Sequence, residues 1–251
     1  MKDITLLPDE RLDNVNEGLS LIQKKDGLTF GTDAFLLASF IKSAPYKSAA
    51  ELGSGTGIIS LLLAQRNKLS KIFAIEIQRD FADLTERNAG FNGLDDKIIT
   101  VNADVTSIKP SDIGGEVDIV FTNPPYMKVD SGKRNDSDAK YIARHEVCGD
   151  INAFCQAGFR LLKHGGKFYV VWRPDRLCDL LFALRANRLE PKIITFVHAD
   201  TQSEPSIALV SATKGSASGA KVTAPLILYE NAEHKKMSEQ ALSIYDTLSF
   251  N

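Results

Sequence analysis

Glu51-Leu52-Gly53-Ser54-Gly55-Thr56-Gly57 sits between two apolar runs, Ser48–Leu52 and Ile58–Arg66. The first has the length of a buried strand and the second that of a helix. Glycines at alternate positions let the backbone turn sharply and approach a ligand closely, because no Cβ stands in the way. The third glycine of a dinucleotide G-x-G-x-x-G run would fall at position 58, which is Ile58, so the pattern departs from the nicotinamide fingerprint. A tight strand–helix turn also accounts for the run.

Outward from these glycines, strand and helix patterns alternate. Strands are predicted over Lys71–Ile77, Ile98–Ala103, Val117–Thr122, Lys167–Trp172, Lys192–His198 and Ile207–Thr213. Helices are predicted over Asp80–Asn92, Asp150–Lys163 and Asp175–Asn187, with Gly165-Gly166 ending the second of them. Near the N-terminus, Leu19–Gln23 and Leu28–Phe30 read as strands joined by a turn at Lys24–Gly27. Thr32 or Asp33 then caps a helix over Ala34–Ile41, apolar almost all round and so buried. The polar stretch 129–140 predicts a mobile loop, and Val222–Tyr229 an appendage strand. Such alternation means a mostly parallel sheet covered on both faces, with ligands beyond the carboxyl ends of its strands.

Bulk properties exclude several classes. At 251 residues the chain suffices for one sizeable core, and a net charge of −2 does not advertise nucleic acid. The N-terminus lacks the long apolar region of a signal peptide, and no apolar run is long enough to span a bilayer. Cys148, Cys155 and Cys178 have no metal-ligand spacing and read as reduced thiols of a cytoplasmic protein. His145, His164, His198 and His234 are scattered, so no metal is expected. A monomer is the favoured oligomeric state.

Two acidic residues sharpen the glycine signal. Glu76 closes the strand after the glycine helix, where a carboxylate can accept both hydroxyls of a ribose. Asp104 follows the next strand, where it can accept a hydrogen bond from an adenine amino group. With these in order, the sequence resembles the class I S-adenosylmethionine-dependent methyltransferases. The resemblance implies a Rossmann-like α/β fold with a seven-stranded sheet, last strand antiparallel. It divides the chain into an N-terminal extension, 1–46, and a methyltransferase domain, 47–251. It implies S-adenosylmethionine as cofactor, held by Glu51, Gly53, Gly55, Gly57, Glu76, Asp104 and Asn123.

The strand Val117–Thr122 ends in a stiff corner, Asn123-Pro124-Pro125-Tyr126. It resembles the N-P-P-Y motif of methyltransferases that act on planar amines. An adenine N6 is a poor nucleophile because its lone pair is delocalised into the ring. Two acceptors on its N–H groups favour localisation of that pair. The Asn123 side-chain oxygen and the Pro124 carbonyl can supply them, held rigid by the prolines, with Tyr126 offering a ring for the base to stack on.

The same motif occurs in enzymes acting on guanine N2, on DNA or ribosomal RNA adenine and on protein glutamine. Glutamine enzymes carry a helical substrate domain ahead of the fold, for which the N-terminal segment is too short. A non-catalytic cofactor-binding RNA module is the alternative of another class, and it needs no paired acceptors. The flanks Phe30-Gly-Thr-Asp-Ala-Phe-Leu-Leu-Ala38, Ala143-Arg-His-Glu146 and Val171-Trp-Arg-Pro-Asp-Arg176 resemble the bacterial tRNA(Val) adenine-N6 methyltransferases. That resemblance implies a tRNA substrate. Lys128, Lys133, Arg134, Arg144 and Arg173, after strand ends or beside the acceptor corner, are the candidate phosphate contacts.

Overall fold

A computed structural model describes residues 5–26, 30–124 and 150–250. Seven long strands form its central sheet. In spatial order they are β5 (Ile98–Asn102), β4 (Leu69–Glu76), β3 (Ala44–Leu52), β6 (Val117–Thr122), β7 (Leu162–Trp172), β9 (Pro205–Lys214) and β8 (Leu189–His198). Neighbours from β5 to β7 are parallel, and β9 runs antiparallel to both β7 and β8. Two-residue strands β10 (Lys221–Val222) and β11 (Leu226–Ile227) both pair with β8. The expected appendage strand is therefore split in two.

Period-two alternation sorts the strand side chains onto two faces. Ala49, Ile119 and Phe121 join one core with α1 (Thr32–Phe40), α2 (Ile58–Gln65) and part of α3 (Arg79–Phe91). Ala50, Leu52 and Val120 join the other with α4 (Ile151–Leu161) and α5 (Leu177–Ala186). Phe121, Phe154 and Phe168 are fully buried, each contributing about 3 kcal/mol from apolar area removed from water. From β3 the chain steps outward through β4 to β5, then returns to lay β6 on the other side of β3. This reversal puts a topological switch point at the carboxyl ends of β3 and β6, the place where open α/β sheets bind ligands.

Three local expectations are corrected. Gly165-Gly166 does not end α4, which stops at Leu161; Leu162 is already extended and pairs with Val117. Lys167 next pairs with Ile119, so 163–166 bulge opposite Asp118. A Cβ on Gly166 would lie 2.8 Å from the Lys163 carbonyl oxygen, which is why a glycine stands there. The N-terminal hairpin also differs. Leu19–Lys24 (β2) pairs with a preceding strand, Glu10–Asn16 (β1). Phe30 lies outside any strand, while Leu28 and Thr29 fall outside the described residues. The hairpin docks on α3 through two asparagines that act as a surrogate strand edge. Asn88 exchanges two hydrogen bonds with the Ile22 backbone at 2.7 and 3.0 Å, and Asn92 two with Ser20 at 3.0 and 2.8 Å. Finally, neither Thr32 nor Asp33 caps α1; its N-cap is Gly31.

Sequence patterning assigns nothing beyond Tyr229, yet a sixth helix, α6 (Glu239–Thr247), forms there with Ser238 as its cap. It clamps α1 at both ends. The Tyr245 hydroxyl donates to Thr32 Oγ1 at 3.1 Å, and its ring lies 4.8 Å from that of Phe35. At the far end, buried Lys68 donates to the carbonyls of Ala38, Ser39 and Leu248 at 2.7, 3.3 and 2.9 Å. Burial pushes the Lys68 ammonium down to about 8, and these carbonyls are what make its charge tolerable there. Among the described residues no helix is long and apolar enough to cross a membrane.

Candidate active site

The glycine run forms the turn from β3 into α2. Gly53, Gly55 and Gly57 have φ of 71°, 57° and 80°, a left-handed conformation that side chains resist. A Cβ on Gly57 would lie 2.8 Å from Thr85 Cγ2, whereas one on Gly55 would meet nothing within 4 Å among the described residues. The loop is thus packed from behind and open at Gly55. Its backbone is pinned by the Ile75 carbonyl, which accepts from Gly53 and Ser54 N–H at 2.9 and 3.0 Å. Among the described residues the buried Ser54 hydroxyl has no hydrogen-bond partner.

Glu76, at the end of β4, faces this loop. Its two carboxylate oxygens accept from the N–H groups of Gly55 and Gln78, each at 2.9 Å. Each oxygen carries two lone pairs, so the held carboxylate can still accept from two further hydroxyls. Asp104 follows β5, with Oδ1 accepting from Thr106 N–H at 2.7 Å. An acceptor poised for a diol, beside a loop open at Gly55, fits a ribose-bearing cofactor. The chemistry of the donor set therefore agrees with S-adenosylmethionine.

Glu51 lies deeper. Its carboxylate is buried and accepts from both the backbone and the hydroxyl of Ser60 on α2. Desolvation pushes its pKa up to about 8, outweighing the Ser60 hydrogen bonds, with the nearby Glu76 charge adding to the rise. A sign follows. The unfolded chain releases this proton near 4.5 and the folded one near 8, so stability falls as pH rises through that window. The full span is on the order of 5 kcal/mol. Glu51→Gln keeps an oxygen for Ser60 and is expected to flatten the fall. Urea midpoints of cofactor-free protein between pH 5 and 8 measure it; an equal slope in the variant would assign the dependence to other groups.

At the end of β6, Thr122 Oγ1 donates to the Leu52 carbonyl at 2.8 Å and ties β6 to β3 beside the glycines. Asn123 follows, half-buried, then buried Pro124. Asn123 Nδ2 donates to Asp33 Oδ2 at 2.8 Å. An ionised carboxylate accepts only, so it selects the amide's nitrogen end and turns Oδ1 the other way. Asp33 Oδ1 accepts from Ala34 N–H at 3.1 Å. This contact is what the sequence reading of Asp33 as a cap missed. Its position in the first turn of α1 was legible; its partner ninety residues away was not.

The fold brings the glycine loop, Glu76, Asp104 and Asn123 to the carboxyl edge of four adjacent strands, β3, β4, β5 and β6. Arg173 follows β7, where it makes a two-pronged ion pair with Asp175, both contacts at 2.9 Å. Pro125, Tyr126, Lys128, Lys133, Arg134 and Arg144 lie outside the described residues, as do Cys148 and the expected loop over 129–140. Of the other cysteines, Cys155 is buried, with its thiol pushed up to about 12 mainly by desolvation, and Cys178 is exposed.

Residues 24–185 match the methyltransferase small domain family. The chain belongs to that family. Its methyl donor is S-adenosylmethionine. The methyltransferase is 30% identical over 181 residues to a tRNA1(Val) (adenine(37)-N6)-methyltransferase of Porphyromonas gingivalis, covering 70% of each chain. A release factor glutamine methyltransferase of Chlorobaculum tepidum is 36% identical over 93 residues, 37% of this chain and 32% of that one. Among solved structures, a predicted O-methyltransferase from Agrobacterium tumefaciens superposes with a TM-score of 0.68 at 22% identity, covering 87% of this chain and 98% of the other. That likeness is one of fold.

Proposed function

We propose that this methyltransferase methylates the N6 amine of an adenine in tRNA, the adenine beside the anticodon of tRNA(Val). The observation that carries the reading is the orientation of Asn123. Its amide nitrogen is committed to Asp33 at the switch point between β3 and β6, so its oxygen is the end turned away from that carboxylate. An amine that must localise its lone pair needs acceptors on its N–H groups. Asn123 Oδ1 and the Pro124 carbonyl are those acceptors. Proline at 124 makes the corner stiff, so little reorganisation accompanies reaction.

Glu76 holds the ribose hydroxyls, Asp104 accepts from the adenine amino group of the cofactor, and the glycine loop lets the backbone close on it. When bound, S-adenosylmethionine supplies an electrophilic methyl on a sulfonium. No base is needed before transfer, because the target nitrogen becomes acidic only once methylated. Similarity to tRNA1(Val) enzymes over 70% of both chains supports the RNA substrate and a cytoplasmic setting. Arg173 is a candidate phosphate contact, for which phosphate must compete with Asp175.

The shorter match to a glutamine methyltransferase makes a protein amide the second reading. Mass spectrometry of nucleosides and peptides decides between them. Total tRNA, ribosomal RNA, DNA and release factors are each incubated with enzyme and isotope-labelled cofactor. Labelled N6-methyladenosine in tRNA is expected. Label confined to ribosomal RNA, DNA or glutamine overturns the tRNA assignment.

A further inference from the structure

We propose that Asp33 is a positioning residue for methyl transfer: its carboxylate selects which end of the Asn123 amide faces the substrate amine. This rests on the acceptor role given to Asn123 above. The two ends of a side-chain amide are nearly the same shape, so packing discriminates poorly between them. Hydrogen-bond chemistry does discriminate. Turned by 180° about χ2, Asn123 would point an N–H donor where an acceptor is required, and its oxygen would face a carboxylate. Asp33 forbids that arrangement through a charge-assisted hydrogen bond of 2.8 Å.

Asp33 is itself held in place. Its other oxygen accepts from Ala34 N–H at 3.1 Å. Its helix is fastened by Tyr245 at Thr32 and by Lys68 at the opposite end. Gly31 supplies an independent sign. Its φ is −110°, open to any residue, so the backbone does not demand glycine here. A Cβ at Gly31 would instead lie 2.8 Å from Asp33 Oδ1. The glycine leaves room for the carboxylate where it meets Asn123.

Two variants test the proposal. Asp33→Ala removes the partner, and Gly31→Ala displaces the carboxylate while leaving the helix its backbone. For each, kcat for adenine methylation is expected to fall about 10- to 100-fold, the worth of a hydrogen bond to a charged group. KM for tRNA and cofactor affinity by calorimetry are expected to stay at wild-type values, and the thermal midpoint to fall by no more than the loss of the one Asn123 hydrogen bond accounts for. The Asn123 side-chain amide in 15N NMR spectra is a second readout that needs no turnover. Its proton bonded to the carboxylate is expected downfield in wild type and to lose that shift in both variants. An unmoved amide signal, or wild-type kcat in Asp33→Ala, overturns the positioning role. So does a loss of kcat matched by loss of cofactor binding and thermal stability, which would mark a structural role only. If wild-type enzyme makes no methyladenosine, the adenine reading fails, and the amide signal still decides the Asp33 contact.

Discussion

Asn123→Ala is expected to lower methyl transfer by about 10²- to 10³-fold, the usual cost of deleting one preorganised group that meets charge developing in a transition state. Cofactor affinity is expected to change less than about threefold, since the acceptor acts on the substrate amine rather than on the cofactor. The half-buried side chain ends a strand whose own pairing to β3 and β7 is untouched by the change. Stability should therefore drop little beyond the one hydrogen bond lost, about 1–3 kcal/mol because the partner is a carboxylate. Asn123→Asp makes the sharper contrast. It keeps an acceptor oxygen but sets a second carboxylate 2.8 Å from Asp33, where two negative charges repel. It is expected to be at least as inactive as the alanine variant and less stable. Single-turnover assays with labelled cofactor, alongside calorimetry, separate the two effects. An alanine variant that transfers methyl at the wild-type rate would remove Asn123 from the chemistry.

Glu76→Ala is expected to weaken cofactor binding by about 10²- to 10³-fold, from losing two hydrogen bonds to a charged acceptor at about 1.5–2 kcal/mol each. Part of that loss has a second origin. The same carboxylate accepts from Gly55 and Gln78 N–H, so it fastens the glycine loop to the start of α3. Glu76→Gln tells the two apart. It retains one acceptor oxygen but presents a donor at the other position, so it can hold only part of this pattern. An intermediate affinity is expected. Turnover at saturating cofactor is expected near wild type in both variants, because the group binds ground state and transition state alike. Unchanged affinity in Glu76→Ala would dismiss the ribose assignment.

The strand ends were legible because their residue types are dictated locally. Only glycine takes φ near +60 to +80° without strain, so the run Gly53–Gly57 marks its own turn. Glu76 closes one apolar strand pattern and Asn123 directly follows another, so the ends of those runs mark both positions. What escaped the sequence depends on partners distant along the chain. The β1 strand, Glu-Arg-Leu-Asp-Asn-Val-Asn, is polar because it is one strand of a separate hairpin rather than part of the central sheet, and it is held by pairs such as Arg87 with Glu10 at 2.7 Å. Gly165-Gly166 reads as a helix stop, yet the space it leaves is needed by Leu162 and Asp118 across a bulge. Asp33 has the local look of a helix-start residue, and its meaning comes from Asn123 on the far side of the sequence.

The clamp of α6 on α1 has a further consequence. Asp33 can steer Asn123 only while its helix stays seated, and Tyr245 and Leu248 do part of that seating. Proteolytic clipping or a premature stop ahead of Ser238 would spare the glycine turn, Glu76 and Asp104 while stripping α1 of its fastenings at Thr32 and Leu248 and leaving it its packing beside α2. The fragment would sequester cofactor yet turn over poorly, a competitor of the intact enzyme rather than a weak copy of it.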